Sequence, residues 1–268
     1  MARRLGTDVI ELGRRIYVPE GDCVAPGGVA DSSNARTSDG SWKPTVPCPL
    51  LAELFPQGVI GATLRQPGDP RRLMPDEKKY VLQAAAKRVL EFAAGRACSR
   101  AALAELGISG APLLMNDDRS PCWPSGVIGS ITHTAGYCGA VVADGALWRG
   151  LGLDAEVISH VGEDLGGAIC TAEEMAWIDA LPADRRPVGI ALAFVAKEAV
   201  YKSQYIANGG SLDFQELTVI PGDHELEGVV FTVRRSGRRE RLAASAFPSS
   251  GRFKVIGPLL IAGVAWAG

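Results

Sequence analysis

The sequence predicts an α+β fold of two similar halves. Helix-forming stretches precede strand-forming stretches, and this order occurs twice along the 268 residues. Apolar residues make up 47%, enough to fill a substantial core. The 28 basic and 30 acidic residues leave a net charge of −2, so no basic excess argues for a nucleic-acid partner.

Residues 19–49 are crowded with Gly, Pro, Ser, Asp and Asn, and Pro26-Gly27-Gly28 and Asp31-Ser32-Ser33-Asn34 are loop signals. Residues 1–48 therefore read as a poorly ordered or loosely docked arm. Order is expected from Leu50-Leu51-Ala52-Glu53-Leu54, then a strand near Val59–Leu64. Pro75-Asp76-Glu77 opens a helix with acids in its first turn, expected to run to about Ala94, break or kink at Gly95 and resume to Leu106-Gly107. Strands at Val127–Thr132, Cys138–Ala143 and Leu147–Glu156, joined by Gly136-Tyr137 and Asp144-Gly145 turns, read as an antiparallel meander. Thr171 with Glu174 makes a capping box for a helix, and a longer helix covers about Pro187–Ala207. Strands are expected near Leu217–Ile220, Val229–Arg234, Leu242–Ala246 and Leu259–Ala265. The two halves are residues 49–150 and 151–268.

Two acidic motifs carry the candidate chemistry. Gly152-Leu153-Asp154-Ala155-Glu156 sets carboxylates at i and i+2 at the end of an apolar strand, which points both to one face. A strand end emerging into solvent has the same look. Phe194-Val195-Ala196-Lys197-Glu198-Ala199-Val200-Tyr201-Lys202 places Glu198 and Lys202 at i and i+4, neighbours on a helix. A salt bridge on a solvated face explains that spacing too, but the apolar neighbours favour a cleft. Three carboxylates and two lysines supply what a hard divalent cation on a phosphate ester needs: oxygen ligands for the metal and positive charge for the phosphate.

His133, in Gly129-Ser130-Ile131-Thr132-His133-Thr134, follows a strand, where a lone histidine is more often a hydrogen-bonded packing residue than a catalyst, although a cation near neutral pH can hold a phosphate. Lys87-Arg88, Arg96 and Arg100 crowd one helical region, a solvated basic face or a phosphate site. No P-loop occurs, and Gly150 with Gly152 does not complete a dinucleotide fingerprint. No apolar run approaches the roughly 20 residues of a membrane span. No signal peptide is legible at the N-terminus, and six scattered cysteines form no C-x-x-C, so a reduced cytoplasmic protein is expected.

The pieces in this order resemble the Sfp-type 4′-phosphopantetheinyl transferases, in particular the subgroup of enterobactin synthase component D and its actinobacterial relatives. The resemblance is carried by Lys87-Arg88 with Glu91-Phe92, Gly95-Arg96-Ala97-Cys98-Ser99-Arg100, Pro121-Cys122-Trp123-Pro124, Gly129–His133, Gly152–Glu156 and Lys197–Lys202. It implies two pseudo-symmetric halves with a coenzyme A cleft between them, the N-terminal half binding the nucleotide and the C-terminal half holding metal and catalytic residues. It implies transfer of the phosphopantetheine arm of coenzyme A to a serine of an apo acyl, peptidyl or aryl carrier protein, releasing 3′,5′-ADP. Asp154, Glu156 and Glu198 would hold Mg²⁺. Glu198 would be the base, and Lys202 would act on the leaving phosphate. Arg88, Arg96, Thr132, His133, Asp154, Lys197 and Lys202 would contact the coenzyme. Met115 stands where some relatives have a phosphate-binding lysine, with Arg119 as a stand-in, and Phe194 replaces a common tryptophan. A monomer is expected, with no nucleic-acid or membrane partner. The rival readings are a non-catalytic coenzyme A or carrier-protein binding module, and a nucleotide hydrolase.

Overall fold

The computed structural model describes residues 36–38, 40, 42–208, 212–222, 226, 230–235 and 247–268. Helix α1 (Pro49–Leu54) starts on a proline and buries Leu51 and Leu54, and strand β1 (Ile60–Leu64) follows. Helix α2 (Pro75–Lys78) passes into a 3₁₀ turn, and helix α3 (Ala86–Glu105) runs unbroken through Gly95. The predicted break at Gly95 is thus misplaced; the helical run is interrupted ahead of Ala86. A Cβ on Gly95 would stand 3.2 Å from Ile131 Cγ2, so the residue is small to admit a neighbouring strand.

Strands β2 (Leu114–Met115) and β3 (Pro121–Cys122) form a ribbon, followed by β4 (Val127–Thr134), β5 (Tyr137–Asp144) and β6 (Trp148–Val157). After the short helix α4 (Gly166–Ile169), helix α5 (Ala172–Asp179) begins at the predicted capping box. Glu174 N–H donates to Thr171 Oγ1 at 3.3 Å, and Thr171 N–H donates to Glu174 Oε2 at 2.7 Å. Helix α6 (Arg186–Asn208) leads to β7 (Leu217–Pro221), β8 (Val230–Arg235), β9 (Ser250–Ile256) and β10 (Leu259–Ala267). The sequence reading missed β9, whose charged and polar residues hide its strand pattern. The expected strand at Leu242–Ala246 lies outside the described residues.

Two antiparallel sheets result, ordered β1-β5-β4 and β6-β10-β9-β8-β7. The predicted meander is corrected here: β6 leaves β5 and pairs with β10, from Val157↔Leu259 to Trp148↔Ala267. Strand β5 is buried on both faces, which suits a central strand. Its Cys138, Ala140 and Val142 pack with Ala94, Cys98 and Leu103 of α3. Its Val141 and Ala143 share a cluster with Leu151 and Leu153 of β6 and Ile261 of β10. Each half lays one long helix on a sheet, and this last cluster joins the halves. Fully burying each such side chain stabilises the fold by about 1.5–3 kcal/mol.

Part of the predicted arm belongs to the N-terminal half. Thr45 and Thr63 exchange backbone hydrogen bonds of 2.9 and 3.1 Å, and Cys48 N–H reaches Gly61 O at 2.8 Å. Order therefore begins ahead of residue 49, while residues 1–35 lie outside the described residues. Among the described residues, no helix is long and apolar enough to cross a membrane.

Candidate active site

Helix α6 lies on β6 at two glycines. A Cβ on Gly152 would fall 1.7 Å from Ala199 O, and one on Gly150 would fall 2.1 Å from Ser203 O. Backbone meets backbone there, and the residues before those two carbonyls are Glu198 and Lys202. The approach brings Lys202 Nζ to 2.6 Å from Asp154 Oδ1 and 3.2 Å from Leu153 O. Burial alone would lower the Lys202 ammonium. Asp154, Glu198 and Glu156 outweigh it and hold the lysine above its ordinary value. Of the three carboxylates and two lysines expected to converge, Asp154 touches Lys202, Glu198 and Glu156 lie close enough to act on its charge, and Lys197 points elsewhere.

Glu156 is engaged within the protein. Its Oε1 accepts from Thr134 Oγ1 and, at 2.7 Å, from Val157 N–H, with His160 Nδ1 at 3.1 Å. Burial pushes its carboxyl up, and Asp154 adds to the rise against these hydrogen bonds. Among the described residues, no three acidic, histidine or cysteine side chains close round one point. In kind, three carboxylates fit a hard cation; in arrangement, Lys202 holds Asp154 while Thr134 and His160 hold Glu156. The sequence reading missed Thr134 and His160. The signal for the second was its i+4 spacing from Glu156.

Arg88 and His133 also come together, with Arg88 Nη1 2.8 Å from His133 Nε2. A guanidinium can only donate, so Nε2 accepts and the imidazole is neutral. Burial, then the charges of Arg88, Lys202 and Lys87, pushes its pKa down to about 3. Glu91, part of the motif but given no role from the sequence, lies 3.8 Å from Arg88 and 3.7 Å from His133 Nδ1. Arg88, Lys202 and Lys87 bear on this histidine against the one carboxylate of Glu91, an excess of positive charge that suits an anion.

Three predicted contacts sit differently. Lys197 is 0% exposed and spends its three N–H donors on Glu174 Oε2 (2.6 Å), Ile169 O (2.8 Å) and Phe214 O (2.9 Å). It has no donor left for a coenzyme phosphate. Burial lowers its pKa despite Glu174. Thr132 is 2% exposed; its hydroxyl lies 3.0 Å from Asp154 Oδ1 and accepts from Ala155 N–H at 3.1 Å, so it faces the seam and not a nucleotide. Arg96 is buried as a strut: Nε donates to Leu113 O at 2.8 Å and the guanidinium lies 4.1 Å over Phe92. Burial brings its pKa down to about 10. Arg119 is exposed in the β2–β3 turn at φ 72°, and Tyr205 of α6 donates to the adjacent Asp118 at 2.6 Å. Met115 lines an open cleft of about 570 Å³ with Tyr80, Asn116, Asp118 and Cys122.

Residues 76–143 match the 4′-phosphopantetheinyl transferase N-terminal domain, and residues 150–249 match the 4′-phosphopantetheinyl transferase superfamily domain. The chain is 39% identical over 171 residues to the 4′-phosphopantetheinyl transferase Svp of Streptomyces mobaraensis, covering 62% of this chain and 70% of that one. The chain belongs to the 4′-phosphopantetheinyl transferases. PptT of Mycobacterium tuberculosis is 38% identical over 176 residues, 62% of this chain and 75% of its own length. Enterobactin synthase component D of Salmonella typhimurium is 38% identical over 121 residues, 44% of this chain and 48% of its own. As a member of this family the protein is an enzyme that transfers phosphopantetheine to carrier proteins. The binding-module reading is not favoured. The α+β fold of two halves agrees with the family, and the two matched domains divide between β5 and β6.

Proposed function

We propose that the transfer takes place at the β6–α6 notch, with coenzyme A as donor, Mg²⁺ as the metal and a serine of an apo carrier protein as acceptor. The observation that carries this reading is Lys202 held among Asp154, Glu156 and Glu198 beside the Arg88–His133 pair. Asp154, Glu156 and Glu198 would hold Mg²⁺, which supplies charge neutralisation on the pyrophosphate. The bonds of Glu156 to Thr134, Val157 and His160 all fall on Oε1, which leaves Oε2 for the cation.

Glu198 takes the proton from the serine hydroxyl, which is too weak a nucleophile at neutral pH without a base. The serine oxygen bonds to the phosphorus that carries the pantetheine arm, and the bond to the bridging oxygen breaks. The charge that develops on the departing 3′,5′-ADP faces the Lys202 ammonium, whose raised pKa keeps it cationic. Arg88 donates to the nucleotide end beside the neutral His133. The side-chain donors of Lys197 and Thr132 are engaged within the protein, so neither side chain is assigned to the coenzyme. The five described cysteines are free, which suits a reducing cytoplasm.

Intact-mass spectrometry of an apo carrier protein tests the reading. With enzyme, coenzyme A and Mg²⁺ the carrier gains one phosphopantetheine arm, and with EDTA it does not. Coenzyme A bound with the carrier left unmodified would return the binding-module reading.

A further inference from the structure

We propose that Thr132 is a positioning residue for Asp154 that fixes which carboxylate oxygen faces the cleft; this rests on Asp154 being a cation ligand. A threonine hydroxyl has one proton and two lone pairs. An ionised carboxylate cannot donate, and a backbone N–H cannot accept. Thr132 therefore donates to Asp154 Oδ1 and accepts from Ala155 N–H. Its only proton is spent, so it has none to offer a phosphate.

The same Oδ1 takes Lys202 Nζ at 2.6 Å, and no hydrogen bond from a described residue reaches Oδ2. Two partners from different elements, β4 and α6, thus lock one oxygen and leave the other open. Ser130 repeats half of the device two residues earlier, where its Oγ accepts from Leu153 N–H at 3.0 Å. Ser130 and Thr132 together stitch β4 to β6 across the seam between the halves. Only Thr132 also reaches a carboxylate.

The test uses the full chain and the variants Thr132→Val and Thr132→Ser. Four quantities are measured: Mn²⁺ binding by electron paramagnetic resonance with coenzyme A present, kcat, KM for coenzyme A and KM for 3′-dephospho-coenzyme A. Thr132→Val is expected to weaken Mn²⁺ binding or turnover by about 10–100-fold, the scale for losing a hydrogen bond to a metal ligand. The ratio of the two KM values stays that of the unsubstituted enzyme. Thr132→Ser keeps the hydroxyl and restores both quantities to within ~3-fold, well inside that range.

A valine variant with normal Mn²⁺ binding and kcat overturns the proposal. So does a KM rise confined to coenzyme A, which would make Thr132 a reader of the 3′-phosphate. A serine variant as impaired as valine would assign the effect to the lost methyl group. Should the valine variant not fold, Thr132→Ala carries the same measurements and criteria. If neither folds, the hydroxyl is a requirement of the fold and the proposal falls. Unsubstituted enzyme that binds no Mn²⁺ and modifies no carrier would instead defeat the reading of the whole site.

Discussion

The two faces of helix α6 carry two lysines of one motif to opposite ends. At about 100° per residue, Lys197 and Lys202 stand roughly 140° apart around the axis. On one face Lys197 is sealed between α4, α5 and the turn before β7, with each of its protons placed on an oxygen. On the other, Lys202 keeps 29% of its side chain exposed and gathers three carboxylates. One lysine holds the C-terminal half together, and the other faces the proposed site. The motif supplies both cations, but what stands opposite decides the role of each.

The sharpest way to break this comparison is Lys197→Met. It leaves Glu174 as a buried charge without its cation, and losing one partner of such a pair costs about 3–5 kcal/mol. Urea denaturation is expected to show that loss, while the fraction that remains folded turns over normally per molecule. A variant of native stability that has lost turnover would put Lys197 back at the coenzyme.

Glu198→Gln, on the other side, is expected to lower kcat at least ~10²-fold, the lower scale for a general base, with little change in coenzyme A binding or melting temperature. Single-turnover transfer to an apo carrier measures it. Near-native turnover would take Glu198 out of the proton transfer.

Arg88→Ala should raise the KM for coenzyme A by about 10–100-fold, as expected for a charge-assisted hydrogen bond of ~1.5–3 kcal/mol, and the KM for 3′-dephospho-coenzyme A much less. Equal rises would show that Arg88 does not read the 3′-phosphate.

The smallest effect concerns His133. The folded protein keeps it neutral down to about pH 3, while the unfolded chain takes up a proton near the ordinary 6.5. Between these values the unfolded chain binds more protons, so this contribution to stability is full above pH 6.5 and drains away as the pH falls. His133→Gln should flatten the fall of stability between about pH 6 and 4 in a series of urea titrations. The same slope in both proteins would mean that His133 is already protonated in the fold.

The sequence showed the parts of the fold that rest on local pattern. The capping box at Thr171 and the extents of α6, β7 and β10 are legible because caps and periodicity are properties of neighbours. Strand pairing is not such a property. Nothing in residues 148–157 says that β6 prefers β10, far along the chain, to the adjacent β5. Gly95 misled for a related reason, since its small size serves Ile131 across the packing interface and not its own backbone. At the site, Asp154, Glu198 and Lys202 were legible through i+2 and i+4 spacing. Thr132 and Lys197 were not, because whether a donor is free depends on carbonyls and carboxylates that only the tertiary fold supplies.

The contact of Gly150 and Gly152 with the carbonyls of α6 bears on time as well as place. A joint made of main chain has no side chain to swing aside, so it offers no small opening. Helix α6 separates from β6 only by leaving the sheet, and by then the core beneath it is lost. Amide protons near Glu198 and Lys202 then exchange with solvent at the pace of whole-molecule unfolding, slower than any loop. The proposed site thus keeps the slow clock of the fold.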